Sequence, residues 1–363
     1  GGETWAMINP WSAYYGGEEM KLHADIMAIQ PFRRADGSSF VIVNTHGGSY
    51  ISNDEMLTHH NLSLQGLRTS QAYDVHTDPA NPAHVFLGTQ DQGFQRTTWG
   101  NSFGLLNFEQ PLPGDIVNMA TTQSHVWVQY PGTIYYFNDA LAESYTTLWN
   151  IPSSQLSGRG WSSPIEPVAN PALNEVFVGG GNITVGGGSH IIRLHVDAAN
   201  PQKISARQYA FNFELPGTGD RISSIETLPQ DTNRIYVASE QGRFYTSKDA
   251  GLTFTQSTST LTLPSPLYGA CIYASRKTAD LVWFGGSGYT NAPMHVSTDG
   301  GKTFRPMNNG LPSTLVYEVV ANSSETLLFA ATEAGPYVYS VAENSWYSMV
   351  GNANPLVAHT GVE

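Results

Sequence analysis

The sequence has one cysteine, few charges and no long apolar run, and each shortage excludes a class of protein. Among 363 residues the only cysteine is Cys271, so no internal disulfide can form. Charged residues make up 13% of the chain. No stretch reaches the roughly 18 consecutive apolar residues that a membrane helix needs. We therefore exclude disulfide scaffolds, coiled coils and membrane spans, and we predict no direct membrane insertion.

Basic residues are also scarce, which bears on the choice of partner. The chain has 17 Lys and Arg against 30 Asp and Glu, a formal net charge of −13. Its longest basic cluster is Arg33-Arg34. A protein that binds nucleic acid needs a basic surface to displace counterions from the phosphates. The sequence therefore predicts no nucleic-acid partner.

Glycine, proline and aromatic residues are plentiful. There are 36 Gly, 21 Pro, 18 Tyr, 15 Phe and 8 Trp, and hydrophobic residues form 40% of the chain. This composition favours many short strands joined by tight turns, with enough apolar material for a core. We predict an all-β fold.

A short motif repeats along the chain. Residues 246–254 and 296–304 both fit S-x-D-x-G-x-T-aromatic, and residues 52–59 form a worn third copy. The residues assigned to the motif are Ser52, Asp54, Ser247, Asp249, Gly251, Thr253, Phe254, Ser297, Asp299, Gly301, Thr303 and Phe304. An aspartate in such a turn can accept backbone N–H bonds within the turn itself. We interpret these residues as structural.

Each copy has the same neighbours: an alternating apolar strand, a small-residue strand, an aromatic strand and then the motif. Four short strands in about 40–50 residues is the size of a propeller blade. Units begin near Ala24, Gln71, Ile116, Ser162, Arg221, Tyr268 and Thr314. We predict a β-propeller of four-stranded antiparallel blades, seven in number with eight as the alternative. It forms one domain over 1–363, with complete repeats over 24–355, a partial repeat at each end, and an expected continuation in a longer polypeptide.

The repeated motif resembles the Asp-box, or bacterial neuraminidase (BNR) repeat, of propellers in sialidases, xyloglucanases and sortilin-type receptors. Residues 22–29, 44–50 and 88–96 resemble the repeat region of large bacterial surface proteins. The resemblance implies a propeller that is secreted or on the bacterial cell surface. It does not imply one function, because the repeat occurs in enzymes and non-enzymes.

The turns between second and third strands are expected on the face opposite the motif. They lie at 45–48, 90–93, 239–242 and 332–335, and we assign His46, Asp91, Glu240 and Glu333 to one register position in four units. Trp99 and Trp161, flanked by Gly and Ser, are candidate stacking platforms for sugars. The predicted ligand-binding face therefore comprises His46, Asp91, Glu240, Glu333, Trp99 and Trp161, and its expected partner is a protein or a glycan.

Two functions remain open at this point. The first is a non-catalytic binding or scaffolding propeller, possessing neither cofactor nor metal. The alternative is a polysaccharide hydrolase resembling xyloglucanases, in which Asp91 would pair with Glu240 or Glu333. Glycoside hydrolysis uses two carboxyl groups about 5–10 Å apart. We favour the binding propeller, since the better-matched turn carries His46 where the xyloglucanase pattern has an acid.

The sequence gives weaker support to two further hypotheses, a sialidase and a metal site. A sialidase needs an Arg-Ile-Pro motif, and the nearest approach, at Arg221, lacks the proline. His23 and Asp25, or His59-His60 beside Asp54, could be drawn as metal ligands, but none has the helical i, i+4 spacing of a zincin. We therefore predict neither a sialidase nor a metal site.

Overall fold

A computed structural model of the chain describes residues 2–15, 21–65, 70–78, 81–98, 107–123, 125–151, 156–170, 172–184, 187–259, 267–351 and 358–362. The fold is all-β, with seven four-stranded antiparallel sheets and almost no helix, which is consistent with a seven-bladed β-propeller. Trp99 lies outside the described residues.

Strands follow the chain order within each sheet. Sheet 1 contains β1 (Ile26–Arg33), β2 (Ser39–Thr45), β3 (Gly48–Ser52) and β4 (His60–Asn61). Sheet 2 contains β5 (Ala72–Asp78), β6 (Asn81–Thr89), β7 (Gly93–Thr98) and β8 (Glu109–Leu112). Sheet 3 contains β9 (Asn118–Thr122), β10 (His125–Tyr130), β11 (Thr133–Phe137) and β12 (Thr147–Asn150). Sheet 4 contains β13 (Ile165–Pro167), β14 (Glu175–Gly179), β15 (Ile191–Asp197) and β16 (Asn200–Gln208).

The remaining three sheets repeat this order. Sheet 5 contains β17 (Ile222–Thr227), β18 (Ile235–Ser239), β19 (Phe244–Ser247) and β20 (Thr255–Gln256). Sheet 6 contains β21 (Cys271–Ala274), β22 (Val282–Gly285), β23 (Met294–Ser297) and β24 (Arg305–Pro306). Sheet 7 contains β25 (Val316–Ala321), β26 (Leu327–Thr332), β27 (Gly335–Ser340) and β28 (Ser345–Ser348). Each sheet begins within three residues of its predicted start.

In the residues that the structure describes, helical structure is limited to two short segments. These are α1 (Trp11–Tyr15) and a 3-10 turn (Leu62–Leu64). Within the described ranges, neither the length nor the apolar character needed to cross a membrane is found in any helix.

The core lies between neighbouring sheets. Phe244 of sheet 5 packs with its ring centroid 5.1 Å from Phe284 of sheet 6 and 4.7 Å from Phe304, the aromatic residue of the repeated motif. In the preceding copy, Phe254 lies 4.9 Å from the ring of Phe213. Because each motif aromatic fills a gap beside an adjacent sheet, the repeat that is visible in the sequence also fixes how the sheets pack.

The first strands of sheets 2 to 7 pack side by side around a central cavity of about 630 Å³. Residues 358–362 extend this ring between sheet 7 and sheet 2. The His359 N–H donates to the Thr332 carbonyl at 2.9 Å, and the Thr360 hydroxyl donates to the Ala72 carbonyl at 2.5 Å. The segment thus joins the last sheet to the second.

Carboxylates tie the inner strands together. Asp74 accepts the Met119 N–H at 2.6 Å, so a side chain of sheet 2 holds the backbone of sheet 3. Glu166 accepts from Thr227 (3.2 Å), Glu226 from Ala274 (3.0 Å) and Glu318 from Val362 (2.6 Å). In the first three bonds, a carboxylate on the first strand of one sheet accepts from the first strand of the next sheet. The bond from Val362 to Glu318 has the same form, so residues 359–362 take the place of a first strand beside sheet 7.

Sheet 1 differs from the other six. All eight residues of its first strand, β1, are exposed, whereas the first strands of sheets 2 to 7 line the cavity. Sheet 1 is joined to sheet 2 by the Phe108 N–H, which donates to the Leu64 carbonyl at 2.9 Å. The Tyr14 hydroxyl, preceding sheet 1, also donates to the Asp91 carbonyl at 2.7 Å.

Candidate functional site

The aspartates of the repeated motif close their own turns. The Ser247 hydroxyl donates to Asp249 at 2.8 Å, while Asp249 also accepts the Thr253 N–H at 2.9 Å and the Thr253 hydroxyl at 2.6 Å. The same bonds recur around Asp54 and Asp299. Hydrogen bonds from Thr253 lower the pKa of Asp249. These carboxylates are therefore occupied within the turns that carry them.

A repeated backbone bond defines the turn register on the other face. The residue after the second strand donates its N–H to the residue before the first strand of the same sheet. The donor–acceptor pairs are His46 to Asp25, Gln90 to Gln71, Glu240 to Arg221 and Glu333 to Leu315. The prediction that Asp91 shares this register is wrong, because Gln90 occupies the equivalent position. The turn between Thr89 and Gly93 contains an extra residue relative to the turn between Thr45 and Gly48.

The displaced Asp91 lies beside sheet 1, within a group that we call the histidine–aspartate cluster: His23, Asp25, His46 and Asp91. The imidazole of His46 places Nδ1 3.6 Å from Asp25 Oδ2 and 3.5 Å from Asp91 Oδ2. On the buried side, His23 places Nδ1 3.8 Å from Asp25 Oδ2 and Nε2 3.4 Å from Asp91 Oδ1. The cluster therefore joins three chain segments from two sheets.

Neighbouring groups fix the orientation of the cluster. The Asp25 N–H donates to His23 Nδ1 at 3.2 Å, and the Tyr15 hydroxyl lies 2.7 Å from His23 Nε2. Asp115 accepts the Asp91 N–H at 3.1 Å. Asp91 has a left-handed backbone, with φ of 57°. Since its N–H is held by Asp115, its carboxylate is left to face the two histidines.

Burial raises the pKa of Asp91, and nearby His23 opposes that rise. Asp115 adds a second negative charge that raises the pKa further. Burial and the charge of Asp91 also raise the pKa of Tyr15 to about 12. The cluster is thus a region of negative potential, where a cation would be stabilised.

A second group surrounds one end of the central cavity. We call it the aromatic mouth and define it as Trp161, Arg221, Glu240, Tyr268, Tyr289 and Glu333. The cavity wall includes Trp161, Tyr268 and Tyr317. The Tyr289 hydroxyl donates to Glu333. Burial and the charge of Glu333 raise the pKa of Tyr317. Of the predicted face residues, Trp161 lines the cavity, whereas Glu240 and Glu333 interact with cavity-wall residues, Glu240 with Tyr268 and Glu333 with Tyr317.

The aromatic mouth presents exposed rings next to hydrogen-bonding groups. The exposed fractions are 50% for Trp161, 41% for Tyr268 and 58% for Tyr289. Glu240 Oε2 lies 3.0 Å from Arg221 Nε, and burial raises the pKa of Glu240 while Arg221 lowers it. Burial and the charge of Glu240 raise the pKa of Tyr268 to about 12. The opening thus combines flat apolar surfaces with fixed polar groups.

Two acidic side chains lie deeper in the cavity wall. Glu166 and Glu226 both face Arg276, whose Nη2 is 3.0 Å from Glu226 Oε1. Burial raises the pKa of both carboxyl groups, and the charge of Glu226 raises that of Glu166 further. One cation therefore serves two carboxyl groups that are close enough to influence each other.

From the raised pKa values of Glu166 and Glu226 we predict that the stability of the fold decreases as the pH rises through neutrality. Raised pKa values mean that folded Glu166 and Glu226 keep protons that the unfolded chain releases above about pH 4.5. The stabilisation that comes from these bound protons is present at low pH, and it is lost as the pH rises past the raised pKa values of the folded state. Between about pH 5 and pH 8 we expect the free energy of unfolding to decrease by on the order of 1–3 kcal/mol. Urea unfolding across this range measures it.

Glu166→Gln combined with Glu226→Gln provides the control. Glutamine does not titrate, so the double variant is expected to show a flatter profile over the same range. A wild-type profile that rises toward pH 8, or a double variant with an unchanged slope, contradicts the assignment.

Sequence reasoning missed part of both groups. His23 and Asp25 were noticed as a pair, but their convergence with Asp91 depends on how sheet 1 meets sheet 2. In the sequence Tyr268 stands out only as the start of a repeat, Arg221 only as a repeat start and an incomplete sialidase motif, and Tyr289 belongs to no motif. The exposed histidine, His46, and the acids Glu240 and Glu333 were found through the turn pattern.

Comparison of the sequence with protein-family models and with curated proteins gave no match. The propeller-like architecture therefore rests on the seven sheets and their repeated order.

Proposed function

We propose that the chain is a non-catalytic binding propeller that takes a neutral glycan across the aromatic mouth. The observation that carries the proposal is a set of three half-exposed rings: Trp161 and Tyr268 line the cavity, and Tyr289 is bonded to Glu333. Glu333 in turn interacts with Tyr317 of the cavity wall. Exposed aromatic faces are costly to hydrate and pack well against the apolar faces of sugar rings.

Polar groups next to the rings supply hydrogen-bond partners for the hydroxyl groups of a sugar. Glu240 and Arg221 hold each other in place, Tyr289 holds Glu333, and together they offer hydrogen-bond acceptors and donors. A binding site of this kind combines apolar surface with a few placed polar groups. The net charge of −13 and the acids at the opening disfavour an acidic polysaccharide. A neutral glycan is the better-matched ligand.

The proposal includes the Asp-box assignment and a location on the cell surface or outside the cell. The three equivalent turns at Asp54, Asp249 and Asp299 support the Asp-box assignment, since each uses the same serine and threonine bonds. The location stays a prediction that follows from the resemblance alone.

Hydrolysis is the competing proposal, and the surroundings of Asp91 count against it. A carboxylate oxygen of Asp25 lies within 4.8 Å of one of Asp91, His46 contacts both residues, and Asp115 places a third carboxyl group beside Asp91. Glu240 and Glu333 are engaged by Arg221 and Tyr289. A glycosidase needs space between its carboxyl groups for a sugar and, in inverting enzymes, a water. Binding without cleavage therefore fits better.

The test is the affinity of the Trp161→Ala variant. Calorimetric titration of wild-type protein with soluble neutral polysaccharides, xyloglucan and its oligosaccharides among them, should detect saturable binding. Removing the indole is expected to weaken binding by about tenfold or more, because a stacked aromatic is a typical binding hot spot. Trp5→Ala is the matched control, since Trp5 is 91% exposed and does not line the cavity.

Equal affinity of the Trp161→Ala and Trp5→Ala variants would remove the aromatic mouth as the binding site. Release of reducing ends by the wild-type protein would favour the hydrolase. Absence of saturable binding to every neutral polysaccharide tested would overturn the choice of ligand.

A further inference from the structure

The histidine–aspartate cluster stands apart from the aromatic mouth and is not used by the proposed function. It brings two imidazoles and two carboxylates together from three chain segments: His23 and Asp25 before β1, His46 after β2, and Asp91 after β6. Such a set is unlike a cluster of surface acids, because half of its donors are ring nitrogens. His23 is fully buried and the Asp91 side chain is 14% exposed.

We propose that His23, Asp25, His46 and Asp91 bind one divalent cation of the Zn²⁺ type. Donor atoms of His23, Asp25 and Asp91 all lie within 4.8 Å of one another. An imidazole offers one ring nitrogen to one ion: His23 Nδ1 lies 3.8 Å from Asp25 Oδ2, and His46 Nδ1 lies 3.6 Å from Asp25 Oδ2 and 3.5 Å from Asp91 Oδ2. Zinc holds nitrogen and oxygen ligands at about 2.1 Å, so tetrahedral donors are about 3.4 Å apart. The two His46 distances are close to that spacing, and the His23–Asp25 distance is slightly longer.

The charges of the cluster support a cation. In the described part of the chain, the ion-pair partners of Asp25 and Asp91 are histidines alone. Neutral histidines leave two carboxylates uncompensated, with Asp115 adding a third beside Asp91. Asp91 is held largely out of water, with its side chain 14% exposed, and a carboxylate in such a position is stabilised by pairing or by a metal ion. One divalent cation balances Asp25 and Asp91.

The donor chemistry selects the type of ion. Ca²⁺ takes six to eight oxygen ligands, and Mg²⁺ prefers oxygen and water. Two imidazoles with two carboxylates instead suit zinc and its neighbours in the first transition series. Metal-binding histidines commonly use their second ring nitrogen for a hydrogen bond. His23 has such a partner in the Tyr15 hydroxyl, 2.7 Å from its Nε2.

Calorimetric titration of chelator-stripped protein with Zn²⁺ tests the site, and the absorption spectrum of the Co²⁺ form reports its coordination. We expect one ion per chain and a four-coordinate cobalt spectrum. His46→Ala is expected to weaken zinc binding at least about tenfold. His46 is the variant of choice because its side chain is 47% exposed, so its removal should leave the fold intact, as a melting curve will verify.

His195→Ala is the matched control, because His195 is 48% exposed and also pairs with a carboxylate, 2.9 Å from Glu175. It is expected to bind zinc like the wild-type protein. Asp25→Asn, also at an exposed position, should weaken binding as His46→Ala does. Absence of stoichiometric zinc binding, an equal loss in His195→Ala and His46→Ala, or equal affinity for Ca²⁺ overturns the proposal.

Discussion

Asp220→Asn is expected to lower the free energy of unfolding by about 3–5 kcal/mol, since it breaks a buried ion pair. The Asp220 side chain is completely buried and pairs with Arg243. It also accepts the Arg221 N–H at 3.0 Å, the Gln241 N–H at 3.1 Å and the Ser239 hydroxyl at 2.7 Å. In the variant an amide NH₂ replaces an acceptor oxygen, and the Arg243 guanidinium, 14% exposed, loses its counter-charge. Urea unfolding measures the loss.

Asp280→Asn is the matched control for this change. Asp280 pairs with Arg234 at 2.9 Å, but its side chain is 44% exposed, so solvent screens the pair. The expected loss is about 1 kcal/mol or less. Similar small losses in both variants would contradict the role assigned to Asp220. The comparison also bears on binding, because Asp220 holds the backbone of Arg221 and of the turn that carries Glu240.

Gly93→Ala is expected to cost about 3 kcal/mol or more, or to prevent folding. Gly93 has a φ of 73°, a conformation that disfavours any side chain. A Cβ atom there would lie 1.7 Å from the Leu112 carbonyl oxygen, which belongs to the neighbouring strand β8. The backbone of Leu112 has to move for the methyl group to fit, which disrupts the pairing of β7 with β8. Thermal and urea unfolding measure the cost.

Gly217→Ala separates the cost of the left-handed backbone conformation from the cost of the steric clash. Gly217 has nearly the same φ, 75°, but a Cβ there meets no atom within 4 Å. Only the backbone cost of about 1–2 kcal/mol is expected. If the Gly93 and Gly217 variants lose equal stability, the close contact of Gly93 with Leu112 does not exist as described.

The number and order of the strands could be predicted because they depend on local pattern. Each unit carries its own turn residues and apolar alternation, so the starts of all seven sheets were placed within three residues. The different position of sheet 1 could not be predicted. Its first strand, Ile26–Arg33, has apolar residues like those of the other first strands, yet it is exposed throughout. Which strands line the cavity depends on non-local contacts, including the bond from Val362 to Glu318.

In the candidate sites, too, the residues that follow a local sequence pattern could be predicted, and the contacts between distant segments could not. The acids Glu240 and Glu333 follow strands of regular pattern, so their turns could be found. Asp91 was placed one position out of register, because the three residues between Thr89 and Gly93 are not distinguished by any sequence signal from the two between Thr45 and Gly48. That single extra residue turns the Asp91 carboxylate toward His23 and His46. The cavity acids Glu166 and Glu226 lie on first strands, where alternation reveals burial but not the shared Arg276.

The central claim is that a neutral glycan binds at the aromatic mouth, and a crystal structure with a bound neutral oligosaccharide tests it most directly. We expect a sugar ring stacked on the indole of Trp161, with hydroxyl groups within hydrogen-bond distance of Glu240 or Arg221. A sugar bound elsewhere, for instance along the exposed strand Ile26–Arg33, or a crystal in which Trp161 stays free at saturating oligosaccharide, would contradict it.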